Sequence, residues 1–209
     1  MRILLTVLIL ITALPCLAEG TEGMVMAADA GMVGTMTRRI EGDRTTLRVS
    51  GVITAAVAAD FIQALDGAPA DRPVLVELDS PGGFVKAGYA MIDAMLRQRA
   101  AGRPVVTLVR GSAACESMCF GVFMAGFPRR AEAGASFMVH APRDERSGII
   151  SLRTINEMKT RLARLGTSPA WLQTVAERGG FSGRADVRER AEDLAHSGAN
   201  VVTELLVAR

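Results

Sequence analysis

Aromatic side chains are scarce in this 209-residue chain: they make up 4% of it, with one Trp and one Tyr. That scarcity excludes base-stacking platforms and aromatic cages for cationic ligands, and it requires an aliphatic core. An excess of one charge sign is missing too. The formal net charge is +2, from 24 Lys and Arg against 22 Asp and Glu, which leaves no electrostatic footprint for nucleic acid. Histidine occurs only at His140 and His196, and cysteine three times. These lack the short paired spacings of a structural zinc site, so no metal is expected. What remains is a chain 49% hydrophobic and 22% charged, long enough for one sizeable α/β domain and too apolar for general disorder.

Beyond the first residues, no stretch is both long enough and uncharged enough to span a bilayer. The beginning differs. Arg2 precedes an apolar run at 3–14, Pro15 breaks it, and small residues at 16–18 lie ahead of Glu19, the layout of an export signal cleaved near Ala18. An uncleaved N-terminal membrane anchor is the alternative, although the run is shorter than the ~20 apolar residues that span a bilayer. A lipid anchor at Cys16 is disfavoured by Pro15 beside it. The chain thus divides into a signal peptide at 1–18, an N-terminal arm at 19–43 and a domain at 44–209, with the mature protein expected in the periplasm or secreted. Cys16 leaves with the signal. Cys115 and Cys119 remain as a candidate disulfide, in a compartment where such bonds persist. On a regular helix, positions i and i+4 match disulfide geometry poorly, so a bridge requires local distortion.

The arm is rich in Gly, Ala, Met and Thr without clear periodicity, and a loose segment or an irregular first strand is expected. From residue 45 the pattern sharpens. A strand at 45–53 leads to a helix at 56–65, and an apolar run at 73–78 ends in Asp-Ser-Pro-Gly-Gly before a helix at 85–99 with Ala87, Met91, Met95 and Leu96 inward. Strand, glycine turn and helix then recur, with a strand at 104–109 and a small-residue helix at 117–125. A short strand at 136–139 stops at His140. An amphipathic helix at 151–165 carries Leu152, Ile155, Met158 and Leu162 as its stripe. Segments 169–177 and 185–197 read as helices and 201–207 as a last strand. Such alternation predicts a single α/β domain of repeated strand-helix units.

Three places could do chemistry. The glycine turn at 82–83 can adopt backbone angles closed to other residues, and its amides, that of Gly83 above all, can face a developing negative charge. Ser117 lies among small residues that permit close approach of a substrate backbone, although a serine there also suits a helix N-cap. A hydroxyl is a weak nucleophile and needs a base. His140, emerging from a strand end, can supply it, or can be an ordinary hydrogen-bonded histidine.

In combination these residues resemble the proteolytic subunit of the Clp protease, within the wider ClpP/crotonase superfamily, over about residues 47–202. That family ends a strand in Ser-Pro-Gly-Gly, as at 80–83, and carries Gly-x-Ala-Ala ahead of a nucleophile followed by Met. Here Gly-Ser-Ala-Ala at 111–114 is followed by inserted Cys115 and Glu116 and then by Ser117 and Met118. Gly126 and the Met-x-His-x-Pro run at 138–142 match further on, with the interval between them two residues shorter. Counting back from Gly198 along the family's Ala-x-Glu-Ala-x-x-x-Gly helix end places Asp186 at the family's aspartate, with Asp193 and Glu189 as fallbacks.

The resemblance implies a ClpP/crotonase-like fold and a Ser-His-Asp peptidase. Ser117 would be nucleophile, His140 base and Asp186 its orienter, with the amides of Gly83 and Met118 binding the oxyanion. It implies an extended peptide or unfolded protein segment as substrate and no cofactor, and it allows a homo-oligomer through the helix at 151–165, whose stripe is otherwise simply buried in the monomer. An exported chain would meet no cytoplasmic ATPase. Glu116 departs from the family, because a carboxylate beside the nucleophile opposes the oxyanion. Two alternatives stand beside this reading: a Ser-Lys peptidase using Lys159, and a non-catalytic peptide- or protein-binding module on the same scaffold. An acyl-CoA enzyme of the crotonase branch is disfavoured, since that cofactor is cytoplasmic.

Overall fold

The computed structural model describes residues 33–144 and 147–207. The signal peptide expected at 1–18, Cys16 with it, and the arm as far as residue 32 lie outside the described residues. In chain order the elements are β1 (Thr35–Glu41), β2 (Arg44–Ser50), α1 (Ala55–Asp66), β3 (Val74–Asp79), α2 (Val85–Ala100), β4 (Val105–Val109), β5 (Ala114–Glu116), α3 (Met118–Met124), β6 (Arg129–Glu132), β7 (Ser136–Val139), α4 (Leu152–Arg164), α5 (Pro169–Glu177), β8 (Val187–Arg190), α6 (Ala191–His196) and β9 (Glu204–Leu206). Among the described residues, no helix is long and apolar enough to cross a membrane.

The main sheet has the order β1-β2-β3-β4-β6-β9, parallel throughout except for the β1-β2 hairpin. Its centre explains the uninterrupted apolar runs, because every residue of β4 and the first five of β3 are buried, as in a parallel strand covered on both faces. The principal core includes Leu47, Val49 and Val76 from the sheet, Phe61 from α1, Met91 and Met95 from α2, and Phe123 from α3. Leu96 sits at the margin of α2 rather than inside, 37% exposed. On the opposite face Leu75, Val106 and Leu108 form a small separate cluster. Arg48, Glu77, Arg110 and Glu132 run across that face as a chain of ion pairs, and Glu77 is buried between the two arginines.

A second sheet of three strands, β5-β7-β8, carries the site. It is joined to the first through Ser80 beyond β3, whose amide donates to the Ala114 carbonyl at 2.7 Å and whose carbonyl accepts from the Glu116 amide at 3.0 Å. Phe120 of α3 meets Phe137 of β7 edge-on and stacks on Trp171 of α5, which fastens the helices to this sheet.

Three sequence expectations are corrected here. The boundary at residue 43 falls too late, since β1 within the arm pairs with β2 along its full length. The segment 185–197 is not one helix: β8 precedes a short α6. Val187 is the only buried residue of β8, and the three charged residues after it conceal a strand whose register comes from pairing with β7. Finally, Leu152 does not join the buried stripe of α4, for it is 79% exposed while Ile155 and Leu162 are buried.

Candidate active site

The register of the small sheet assembles the site. β5 and β7 run parallel with Glu116 opposite Met138, and β8 returns antiparallel with Val187 opposite Val139. The residue following β5 is Ser117, the residue following β7 is His140, and the residue preceding β8 is Asp186. All three therefore leave the sheet at the same end of its strands.

Ser117 occupies the N-cap position of α3 yet caps nothing; its backbone has φ 54° and ψ −119°, unusual for a residue with a side chain. That turn aims its hydroxyl away from the helix. Ser117 Oγ lies 2.6 Å from His140 Nε2, and the Ser117 amide donates to the Met138 carbonyl at 2.8 Å, tying the turn to the strand that presents the histidine. On the other side of the imidazole, Nδ1 stands 3.8 Å from Asp186 Oδ1. This is an ion-pair approach longer than a hydrogen bond, of the kind that tightens when substrate excludes water. Asp186 is half exposed. Burial pushes the His140 pKa below the ordinary histidine value, helped by Arg143 and Arg188 and opposed by Asp186 and Glu116. That shift favours the neutral imidazole.

Gly82 and Gly83 have φ 97° and 153°, both in the region that favours glycine. Ile53 brackets the turn, its amide donating to the Gly82 carbonyl and its carbonyl accepting from the Phe84 amide. The Gly83 amide between them has no partner among the described residues, nor does that of Met118 at the start of α3. Gly82 touches the turn at Ser117, since a Cβ there would fall 2.8 Å from Ser117 Cβ and 2.9 Å from the Met118 nitrogen.

Beside Ser117 and His140 opens a pocket of about 220 Å³. Val85, Ile92, Met118, Phe120, Leu162 and Leu165 supply apolar wall, and Arg143 and Arg161 are its charged members. Arg161 lies 3.9 Å over the Tyr89 ring, which also lines the pocket. None of these pocket residues except Met118 was singled out by the sequence as functional.

Cys115 and Cys119 are joined as a disulfide around Glu116, Ser117 and Met118. The distortion that a bridge at this spacing requires is present: Cys115 is on β5, Cys119 is in the first turn of α3, and the positive-φ serine lies between them. Glu116 is not left alone beside Ser117, because Arg188 approaches its carboxylate to 3.4 Å. Among the described residues, no three His, Cys, Asp or Glu side chains are grouped to hold a metal ion.

The other candidates are placed elsewhere. Lys159 carries its ammonium 5.6 Å over the Phe181 ring and does not line the pocket, which removes the support for a Ser-Lys pair. Glu189 accepts from Trp171 Nε1 at 2.8 Å and pairs with Arg178, so it is engaged away from His140. Asp193 lies in the first turn of α6, and the carboxylate facing His140 is that of Asp186. His196 is exposed and bonds through Nδ1 to the Glu192 carbonyl.

Against known proteins, the model of the Clp protease family matches residues 34–170. The chain belongs to the Clp protease family. Among solved structures, a mutant ClpP1 from Listeria monocytogenes is similar in fold, with a TM-score of 0.53 at 18% identity over 78% of this chain and 92% of that one. The α/β architecture of this Clp protease family member is therefore the ClpP-like one, and the family match begins one residue before β1.

Proposed function

We propose that the protein is a serine endopeptidase that cleaves peptides or unfolded protein segments, acting outside the cytoplasm without an ATP-driven unfoldase. One observation carries the reading: the 2.6 Å approach of Ser117 Oγ to His140 Nε2 at the mouth of an apolar pocket. A serine placed only for packing or capping has no need of a positive φ and an imidazole partner.

Ser117 Oγ attacks the peptide carbonyl carbon while its proton passes to His140 Nε2. The electron pair displaced onto the carbonyl oxygen is met by the Gly83 and Met118 amides, whose N–H groups are unspent. Asp186 holds the imidazole tautomer and balances its charge. Collapse breaks the C–N bond, with the proton on Nε2 going to the leaving amine. Water, deprotonated by the same nitrogen, then hydrolyses the acyl ester. The pocket next to Ser117 favours an apolar side chain beside the scissile bond.

Export is supported by the apolar run at 3–14 and by the disulfide, which suits an oxidising compartment. Absence of an unfoldase follows from export. Self-association is supported by the exposed Ile149 and Leu152 at and before the start of α4.

The test is labelling of the mature chain with a fluorophosphonate probe, followed by digestion of a peptide library. Expected are modification at Ser117, its loss in Ser117→Ala, and a fall in hydrolysis of about ten-thousand-fold in that variant. A folded sample that never labels, or labelling that survives Ser117→Ala, would leave a peptide-binding scaffold as the function.

A further inference from the structure

In the small sheet, Glu116, Met138 and Arg188 form one row across three strands, since Glu116 pairs with Met138 and Met138 with Arg188. Paired residues point to the same face, so the two long charged side chains can meet above the buried Met138. They do: one guanidinium nitrogen of Arg188 is 3.4 Å from Glu116 Oε1, and the other is 3.5 Å from Asp186 Oδ2. The remaining oxygen of Asp186 is the one that faces His140 Nδ1. A single cation thus bridges the carboxylate preceding the nucleophile and the carboxylate behind the base.

We propose that Arg188 is a positioning residue for the peptidase reaction, holding Asp186 toward His140 and offsetting the charge of Glu116 next to the developing oxyanion. The inference rests on the peptidase reading for its kinetic arm. Glu116 is the reason such a device is needed, as its carboxylate is four-fifths buried one residue from Ser117, where negative charge accumulates in the transition state. As stabilising contacts the two pairs are worth little, because Arg188 is half exposed. Their effect falls on the charge balance around the imidazole. The groups that face it are Asp186 and Arg188 from β8 and the turn before it, Glu116 from β5, and Arg143 from the loop after β7.

The experiment compares Arg188→Gln, Glu116→Gln and the double variant, reading the His140 titration by NMR and the pH profile of kcat/KM. His196 provides the control resonance, since the sequence holds no third histidine. In Arg188→Gln the two carboxylates keep only Arg143 to oppose them, so the His140 pKa and the acid limb of kcat/KM both move up and the plateau drops about tenfold. Glu116→Gln moves the titration down. The double variant returns it close to the parent value and recovers part of the plateau. Arg188→Lys keeps the charge without the two-pronged fork, so it preserves the titration while losing part of the rate, and it serves if the glutamine variant is poorly folded. A His140 titration that Arg188→Gln leaves unmoved overturns the proposal, even if the rate falls. If the parent protein cleaves no peptide, the peptidase reading fails, while the titration still decides whether Arg188 governs the imidazole.

Discussion

Ser117 holds a backbone conformation that costs a residue with a side chain about 1–3 kcal/mol, and its neighbours hold it there. Gly82 is one of them. In Gly82→Ala the new methyl would collide with Ser117 Cβ and the Glu116 carbonyl at 2.8 Å, on a backbone with φ 97°. Urea denaturation is expected to show a loss of about 1–3 kcal/mol, with probe labelling of Ser117 slowed more than tenfold. For His140 the sign is fixed by its lowered pKa. A general base works when unprotonated, so the proposed activity is expected to be complete at neutral pH and to fade as pH falls through a value below the ordinary ~6.5. Asp186→Asn removes the attraction that favours the protonated ring, so the acid limb of kcat/KM should shift further down while kcat falls about a hundredfold. An acid limb unchanged in that variant would separate Asp186 from the imidazole. Ser117 and His140 were legible because each sits in a local motif, whereas Asp186 came only from counting back from a helix end. Arg188 gave no signal, because its pairing with Glu116 is set by strand register rather than by nearness in sequence.

Among the elements, β8 shows where periodicity fails. A four-residue strand with one buried side chain and three charged ones has no alternation to read, and only its antiparallel ladder with β7 places it. The central strands were legible for the opposite reason, as long buried runs advertise themselves. A second feature hidden from sequence is Arg103, in the turn between α2 and β4. Only 6% exposed, it donates to the carbonyls of Leu65, Ala68, Pro69 and Arg72, and so collects the chain where α1 ends and the connection to β3 begins. In Arg103→Met those carbonyls lose the guanidinium, and Leu65 and Pro69 keep only backbone donors. A drop of about 3 kcal/mol is expected from the urea midpoint, while Ser117 labelling in the fraction still folded stays near parent values. Nothing in the local pattern distinguishes this arginine from the surface ones around it.

For the whole molecule, the fold class could be read from alternating strand and helix runs, but the division into two sheets could not, because β5, β7 and β8 are only three or four residues long. The fate of the α4 stripe was equally hidden: its spacing marks it as apolar on one side without saying which turn meets the core. Ile155 and Leu162 are spent inside, and Leu152 with Ile149 is left facing solvent. Self-association through these two residues is expected to vanish in Leu152→Glu, as measured by light scattering, with the thermal transition of the protomer little changed. A persistent oligomer in that variant would move the interface elsewhere.

The ring closed by Cys115 and Cys119 is sealed, with both residues 0% exposed. A reducing thiol must therefore wait for the wall around it to open before it can attack. Loss of Ser117 labelling in dithiothreitol should accelerate with reagent at first and then level off, the ceiling being the protein's own breathing rate. A rate that climbs in proportion to thiol at every concentration would mean that this wall admits reagent freely.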